Sequence, residues 1–418
     1  MKNLMLFVVC MTTILTLPSC SKNCSVEYTY LGMKPYVVTF SEIKRVTVDA
    51  PQSFENYGST TVYGDYIYVT EPGKGIHVFD NQNPAAPVQT SFIKIPGNEQ
   101  SIIKDGKMYA NGYVDLFVLD VSTPSTPRVL NMVNNFFPGT YELTNDGIVL
   151  YELEKMTQKC DCGETPNLIS ESKDGLKYVR IDQQSDLIQS SDGSIRFEKG
   201  SNTQKITQSL MGSTAKYAIV DNGLFIVDKN GLKSFSLSNS LNPTKVSQLD
   251  FTGGETVFGM KNRVLVGTNS AVRFYKINSD QSLTYSSMLD HVTSCDPVVA
   301  NDKYAYATFK TSTTCGGWRS ALMVADISNF PREISNLTMT APGGLGIVGN
   351  KLLVTSAKSN VHIFDIQNPE QPVGKVTFQQ SDASDIIPLS SDRFLVFGKS
   401  SVTQYELIGN EAKLISKL

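Results

Sequence analysis

The chain has 418 residues, with 37 Lys and Arg against 40 Asp and Glu and a formal net charge of -3. That near balance leaves no basic footprint for binding nucleic acid. The 40% of apolar residues is enough for a sizeable core, and length alone would suggest about two or three domains.

Residues 1–20 read as a targeting segment. Lys2 supplies a charged start, and Leu4 to Leu17 is apolar but too short for a stable membrane-spanning helix. The segment ends in Leu17-Pro18-Ser19-Cys20, which resembles a lipobox in which Cys20 is diacylated (palmitate-type chains) after cleavage. The alternative is ordinary signal cleavage with Cys20 a bystander. Residues 21–40 read as a tether, with Tyr28, Tyr30 and Tyr36 pointing to partial docking. Ile43–Asp49 alternates like a strand and is expected to pair with the last repeat of the chain, removing an exposed edge.

From here the chain repeats itself. Ile76–Pro87 reads I-H-V-F-D-N-Q-N-P-A-A-P and returns at Val361–Pro372 as V-H-I-F-D-I-Q-N-P-E-Q-P. Between them, Asp120 follows Asp80 by 40 residues in L-F-V-L-D-V-S-T-P-S-T-P, weaker copies are centred on Ser236 and Lys276, and another on Asp326; one more, on Glu406, follows Asp365. A period of about 40 suits a four-stranded propeller blade or a two-helix repeat. Each copy is a β-branched and aromatic run that stops at a turn signal, and no long 3.6-residue apolar period exists. The units are strands.

One unit reads as four strands: Gly58–Tyr63, Tyr66–Thr70, Ile76–Asp80 and Val88–Ile95, with a tight Gly-containing hairpin after the first. Second-strand signals recur at 66–70, 107–110, 148–152, 224–227, 263–267, 304–307, 351–355 and 393–397. The fold expected is all-β: a single β-propeller over residues 41–418 with eight four-stranded blades, or seven if the divergent third unit is not a full blade. The interval from Asp120 to Ser236 is too long for two periods, and the excess falls near 153–205. Such an insertion maps to a loop on one face, either a functional loop or a lengthened hairpin.

Seven Cys are present, of which Cys10 lies in the targeting segment. With Cys20 taken by lipid, the remaining five are expected to pair in an oxidising compartment. Cys295 and Cys315 bracket one predicted hairpin and are the best candidate disulfide; Cys160 and Cys162 bridge each other, or one pairs with Cys24. C-x-C alone is a weak metal signal, so no metal site is assigned. Of the three His, His77 and His362 share a repeat position, which argues for a structural role. No nucleophile elbow, phosphate-binding loop or EF-hand is present, so no catalytic residue is assigned.

Aligned on the second strand, the position nine residues earlier begins the strand that lines the channel. It holds Gly58, Glu99, Thr140, Ala215, Glu255, Asp296, Gly343 and, with a one-residue slip, Asp385. Converging carboxylates attract a cation or raise each other's pKa. Glu99, Glu255, Asp296 and Asp385 are therefore a candidate site for a structural cation or for a cationic or polyhydroxy ligand. The plainer reading has them capping backbone amides and binding water. No organic cofactor is implied.

The phrases G-I-H-V-F-D-N-Q-N-P-A-A-P, D-L-F-V-L-D-V-S-T-P-S-T-P and V-H-I-F-D-I-Q-N-P-E-Q-P resemble the LVIVD repeat, a propeller repeat of bacterial surface and secreted proteins. The longer context, including I-P-G-N-E, H-V-T-S-C-D-P-V-V and P-G-G-L-G-I, is similar to LVIVD-repeat lipoproteins of the Bacteroidetes. The likeness spans roughly 41–418 apart from 153–205. It implies a propeller anchored by lipid to the outer membrane, and no settled activity. Ser21-Lys22-Asn23 carries none of the acidic run expected of surface-exported lipoproteins, so periplasmic side and cell surface both stay open.

Two functional classes follow. One is an envelope binding or scaffold module holding a protein or glycan through one face and the 153–205 insertion. The other is a carbohydrate hydrolase or lyase using channel-mouth carboxylates, which would need two of them about 5–9.5 Å apart across the scissile bond.

Overall fold

The computed structural model describes residues 25–161, 169–171, 177–180, 188–189, 195–196, 212–290, 297–310, 320–357 and 359–418. Among these, the one helix is a single turn, Phe40–Ile43, closed by a capping box between Thr39 and Glu42. Everything else regular is strand, in eight antiparallel sheets.

Seven sheets share one plan, a meander of four strands in sequence order. They cover residues 60–94, 101–133, 217–250, 254–290, 298–338, 342–379 and 385–417, here blades 1 to 7. In blade 1 the strands are Thr60–Tyr63, Tyr66–Glu71, Gly75–Asp80 and Val88–Lys94. The first hairpin turns where the sequence predicts it, at Gly64, whose φ is +58°. Blade 2 makes the same turn with Asp105 and Gly106 at φ of 49° and 72°. These left-handed positions match the twist of the flanking strands.

The repeated Asp also has a local job. Asp80 Oδ1 accepts from the Gln82 amide at 2.9 Å, and Asp120, Asp326 and Asp365 do the same to the residue two positions on. Each closes an Asx turn that sends the chain into the outer strand. The outer pair carries a β-bulge at one position in all seven blades, for example between Val78 and Phe79 and between Ile363 and Phe364. An extra residue there adds twist to the rim.

The blades stack face to face, and seven separate cores lie between them. Tyr68 and Ile76 of blade 1 meet Phe117 and Leu119 of blade 2. Val118 of blade 2 packs with Leu224 and Phe235 of blade 3. The series continues through each neighbouring pair to blade 7, whose Leu395 and Phe397 pack on Ile67 and Phe79 of blade 1. The ring is closed by seven blades. First strands contact the first strands of their neighbours, so they line the central channel, while the fourth strands form the exposed rim.

The eighth sheet is the divergent third unit. It is not a four-stranded meander: two long strands, Ser25–Thr39 and Gly147–Asp161, are flanked by short ones. The signal at 148–152 belongs here, with Ile148 and Leu150 buried against Tyr113, Val114 and Ile43. Blade 2 passes directly to blade 3 without it. Chain contacts divide the molecule into two units, residues 1–35 with 153–184, and residues 36–152 with 185–418. In the first, Gly32 and Met33 pair with Arg180 and Val179, and Lys34 reaches Glu154 at 3.4 Å.

Two N-terminal expectations differ from what is seen. Residues 25–39, read as a tether, are one of those long strands. Thr47–Asp49 pairs with Phe92–Lys94 and becomes a fifth strand on the rim of blade 1 rather than joining the last blade. Blade 7 is built wholly from C-terminal residues and closes on blade 1 by packing, without an N-terminal strand. The predicted targeting segment with Cys20, and most of 153–205, lie outside the described residues.

Candidate functional site

The four acidic positions of the channel have separate fates. Glu99 is half-buried, and its charge acts on Tyr217 of blade 3, whose hydroxyl is held protonated first by burial and second by Glu99. Glu255 is half-buried and occupies a bulge, the register of blade 4 skipping it between Gly254 and Thr256. Asp296, with Cys295 and Cys315, lies outside the described residues. Asp385 is completely enclosed.

Asp385 opens the inner strand of blade 7, Asp385–Pro388, and its carboxyl accepts four hydrogen bonds. Ser213 Oγ donates to Oδ1 at 2.7 Å and Thr214 Oγ1 to Oδ2 at 2.8 Å. The amides of Thr214 and Ile386 donate at 3.1 and 2.8 Å. Two neighbouring glycines leave room for it: a Cβ on Gly344 would collide with this carboxyl, and one on Gly212 would lie 2.6 Å from Oδ2. Burial pushes the Asp385 pKa up to about 7 against the lowering effect of these donors.

Its partners belong to a segment that sequence reasoning did not single out. Gly212–Ala215 precedes blade 3 but reaches four other blades. Ser213 Oγ accepts from the Leu345 amide of blade 6 at 2.8 Å, and the Ser213 carbonyl from the Val298 amide of blade 5 at 3.3 Å. The Ala215 carbonyl accepts from the Val257 amide of blade 4 at 2.7 Å. Tied to blades 4, 5, 6 and 7 and continuing into blade 3, this segment crosses the channel. Above it lies a cavity of about 220 Å³ whose walls come from blades 4 to 7. Its lining includes Ser213 and Ile386 but not Asp385.

The histidines behave as their repeat position predicts. His77 is fully buried, its Nε2 2.8 Å from Glu71 Oε2 and its Nδ1 2.7 Å from Gln89 Nε2. Burial lowers the His77 pKa. Burial alone would raise that of Glu71, but hydrogen bonds from His77 and Lys74 leave it lowered. The pair is a neutral imidazole donating to a carboxylate, with the ring of Phe54 stacked 3.7 Å away. His362 uses Ser356 and Thr377 instead. His77→Ala is expected to lower stability by about 2–4 kcal/mol, because it opens a cavity and strips partners from Glu71 and Gln89. Urea melts would show it; a loss below about 1 kcal/mol would mean the site refills with water.

Among the described residues, no three His, Cys, Asp or Glu side chains converge as metal ligands. Cys160 is buried and is the one cysteine among the described residues; its suggested partners Cys24 and Cys162 lie outside them.

Comparison with known proteins fits this geometry. Residues 58–91 match the LVIVD repeat. The chain is a repeat β-propeller. The matched stretch is nearly all of blade 1, so the repeat and the blade coincide. No curated protein matches the chain. Solved structures share the fold: Kluyveromyces lactis Hsv2 aligns over 87% of this chain and 99% of its own, at 10% identity and a TM-score of 0.52. A functionally unknown protein from Desulfotomaculum acetoxidans DSM 771 aligns over 84% and 96%, at 9% identity and the same TM-score, 0.52. Identities this low carry the fold alone.

Proposed function

We propose that this LVIVD-repeat propeller is a binding scaffold of the bacterial cell envelope, held to the outer membrane by lipid on Cys20, with an envelope protein or glycan as partner. The observation that carries the scaffold reading is the use made of Asp385. A glycosidase needs a second carboxyl across the bond from the first. Asp385 is completely enclosed, its four partners being hydroxyls and amides, three of them on the crossing segment that they tie down, so it is not open to either role. What remains for recognition is the rim, the open end of the channel and the 153–205 insertion. The lipid anchor is supported by Leu17-Pro18-Ser19-Cys20 and the apolar run before it.

Two measurements test the two halves. Cys20→Ser is expected to abolish incorporation of radiolabelled palmitate and release the protein from membranes; retained labelling would end the anchor reading. Affinity capture from envelope extracts should recover a partner with the full chain and lose it on deletion of 153–205, with the Tm of the ring unchanged. Hydrolysis of a glycan by the purified chain, abolished by Glu255→Gln, would overturn the scaffold reading in favour of the hydrolase or lyase.

A further inference from the structure

We infer that the part of the channel walled by blades 4 to 7 is a pocket, closed at one end, for an uncharged aromatic or alicyclic group about one or two rings in size. The floor is the crossing segment, which meets the cavity through Gly212 and Ser213. Ser213 Oγ already donates to Asp385 and accepts from the Leu345 amide. Asp385 itself is sealed beneath and does not reach the cavity.

The walls are apolar on every side described. Blade 4 contributes Phe258, blade 5 Val299 and Ala300, blade 6 Leu345 and Ile347, and blade 7 Ile386 and Pro388. Exposure grades along them: Val299, Leu345 and Ile386 are buried, Phe258, Ala300 and Ile347 half-buried, and Pro388 exposed. The pocket is therefore closed at the Ser213 end and open at the Pro388 end.

Chemistry and size then select the occupant. A sugar or an ion entering here would leave its hydrogen bonds to water unreplaced, at several kcal/mol per group. An apolar ring loses little and releases water from apolar walls. An engineered apolar cavity of about 150 Å³ takes benzene, and drug-sized pockets start at about 300 Å³. At about 220 Å³ this one lies between them. The inference stands apart from the envelope reading, because it concerns the ring alone.

The test uses residues 21–418, without the targeting segment and its lipid-bearing Cys20, titrated with indole and with benzene by ligand-observed NMR and thermal shift, with glucose as the polar control. Saturable binding of indole with a rise in Tm is expected, and none with glucose. Ala300→Phe, which fills the cavity from blade 5, should weaken indole at least tenfold. Ile347→Trp fills it from blade 6 and serves if Ala300→Phe does not fold. Absence of saturable binding by the wild-type chain, equal binding by a folded filled variant, or equal binding of glucose would each overturn the inference.

Discussion

Replacing Asp385 with alanine is expected to destabilise the ring by about 3–5 kcal/mol, the largest single-residue effect outside the blade cores. The variant leaves Ser213 Oγ, Thr214 Oγ1 and two backbone amides facing each other in a sealed space. Each buried donor without an acceptor costs about 1–3 kcal/mol, only part of which a trapped water recovers. Asp385→Asn keeps the shape but turns an NH2 toward the Thr214 amide, a loss of about 1–2 kcal/mol that does not vary with pH.

The pH dependence separates the two variants. The carboxyl titrates at 3.8 when unfolded and at about 7 in the fold, so between those values the native state holds a proton that the unfolded chain has released. Its contribution is complete below 3.8, declines as pH rises, and is gone above about 7. Glu71, Asp326 and Asp365 work the other way, because their pKa values are lowered in the fold. The informative curve is therefore the Tm of wild type minus that of Asp385→Asn, expected to fall from pH 4 to pH 7. A flat difference would mean that the carboxyl stays ionised throughout.

What the sequence disclosed was local. Asp80, Asp120, Asp326 and Asp365 mark the same turn because each bonds an amide two residues ahead. Gly64 and the Asp105-Gly106 pair mark hairpins because left-handed backbone needs such residues. Strand position within the repeat was legible for the same reason. Partner choice was not. The run at 148–152 alternates like any second strand, and nothing within it says that Ile148 will pack on Ile43 and on the Tyr113–Val114 turn of blade 2 instead of taking a place in the ring. Ser213 and Thr214 lie 172 and 171 residues from Asp385, just outside a strand, with no periodicity to flag them. An acidic residue at a channel position can be read from the alignment of repeats; that Gly212 and Gly344 make room to bury it cannot.

Ring closure gives the second large effect. Blades 1 and 7 exchange no strand, so the joint between them relies on apolar packing, on one backbone bond from the Tyr57 amide to the Lys399 carbonyl at 3.3 Å, and on buried polar side chains. Gln404, fully buried, donates to Asn81 Oδ1 at 3.2 Å and to the Pro84 carbonyl at 2.8 Å, and accepts from Asn81 Nδ2 at 3.0 Å. Tyr57 adds a bond from its hydroxyl to the Leu418 carbonyl at 3.3 Å. Gln404→Ala strands the buried Asn81 amide, an expected loss of about 2–4 kcal/mol. In an array whose stability is a sum of neighbour interfaces, opening one joint leaves blades 1 and 7 with a single interface each and the others with two. Hydrogen exchange in the variant should therefore rise most across 60–94 and 385–417 and least in blade 4, at 254–290. A uniform rise across all seven blades would show that the ring opens only by unfolding as a whole.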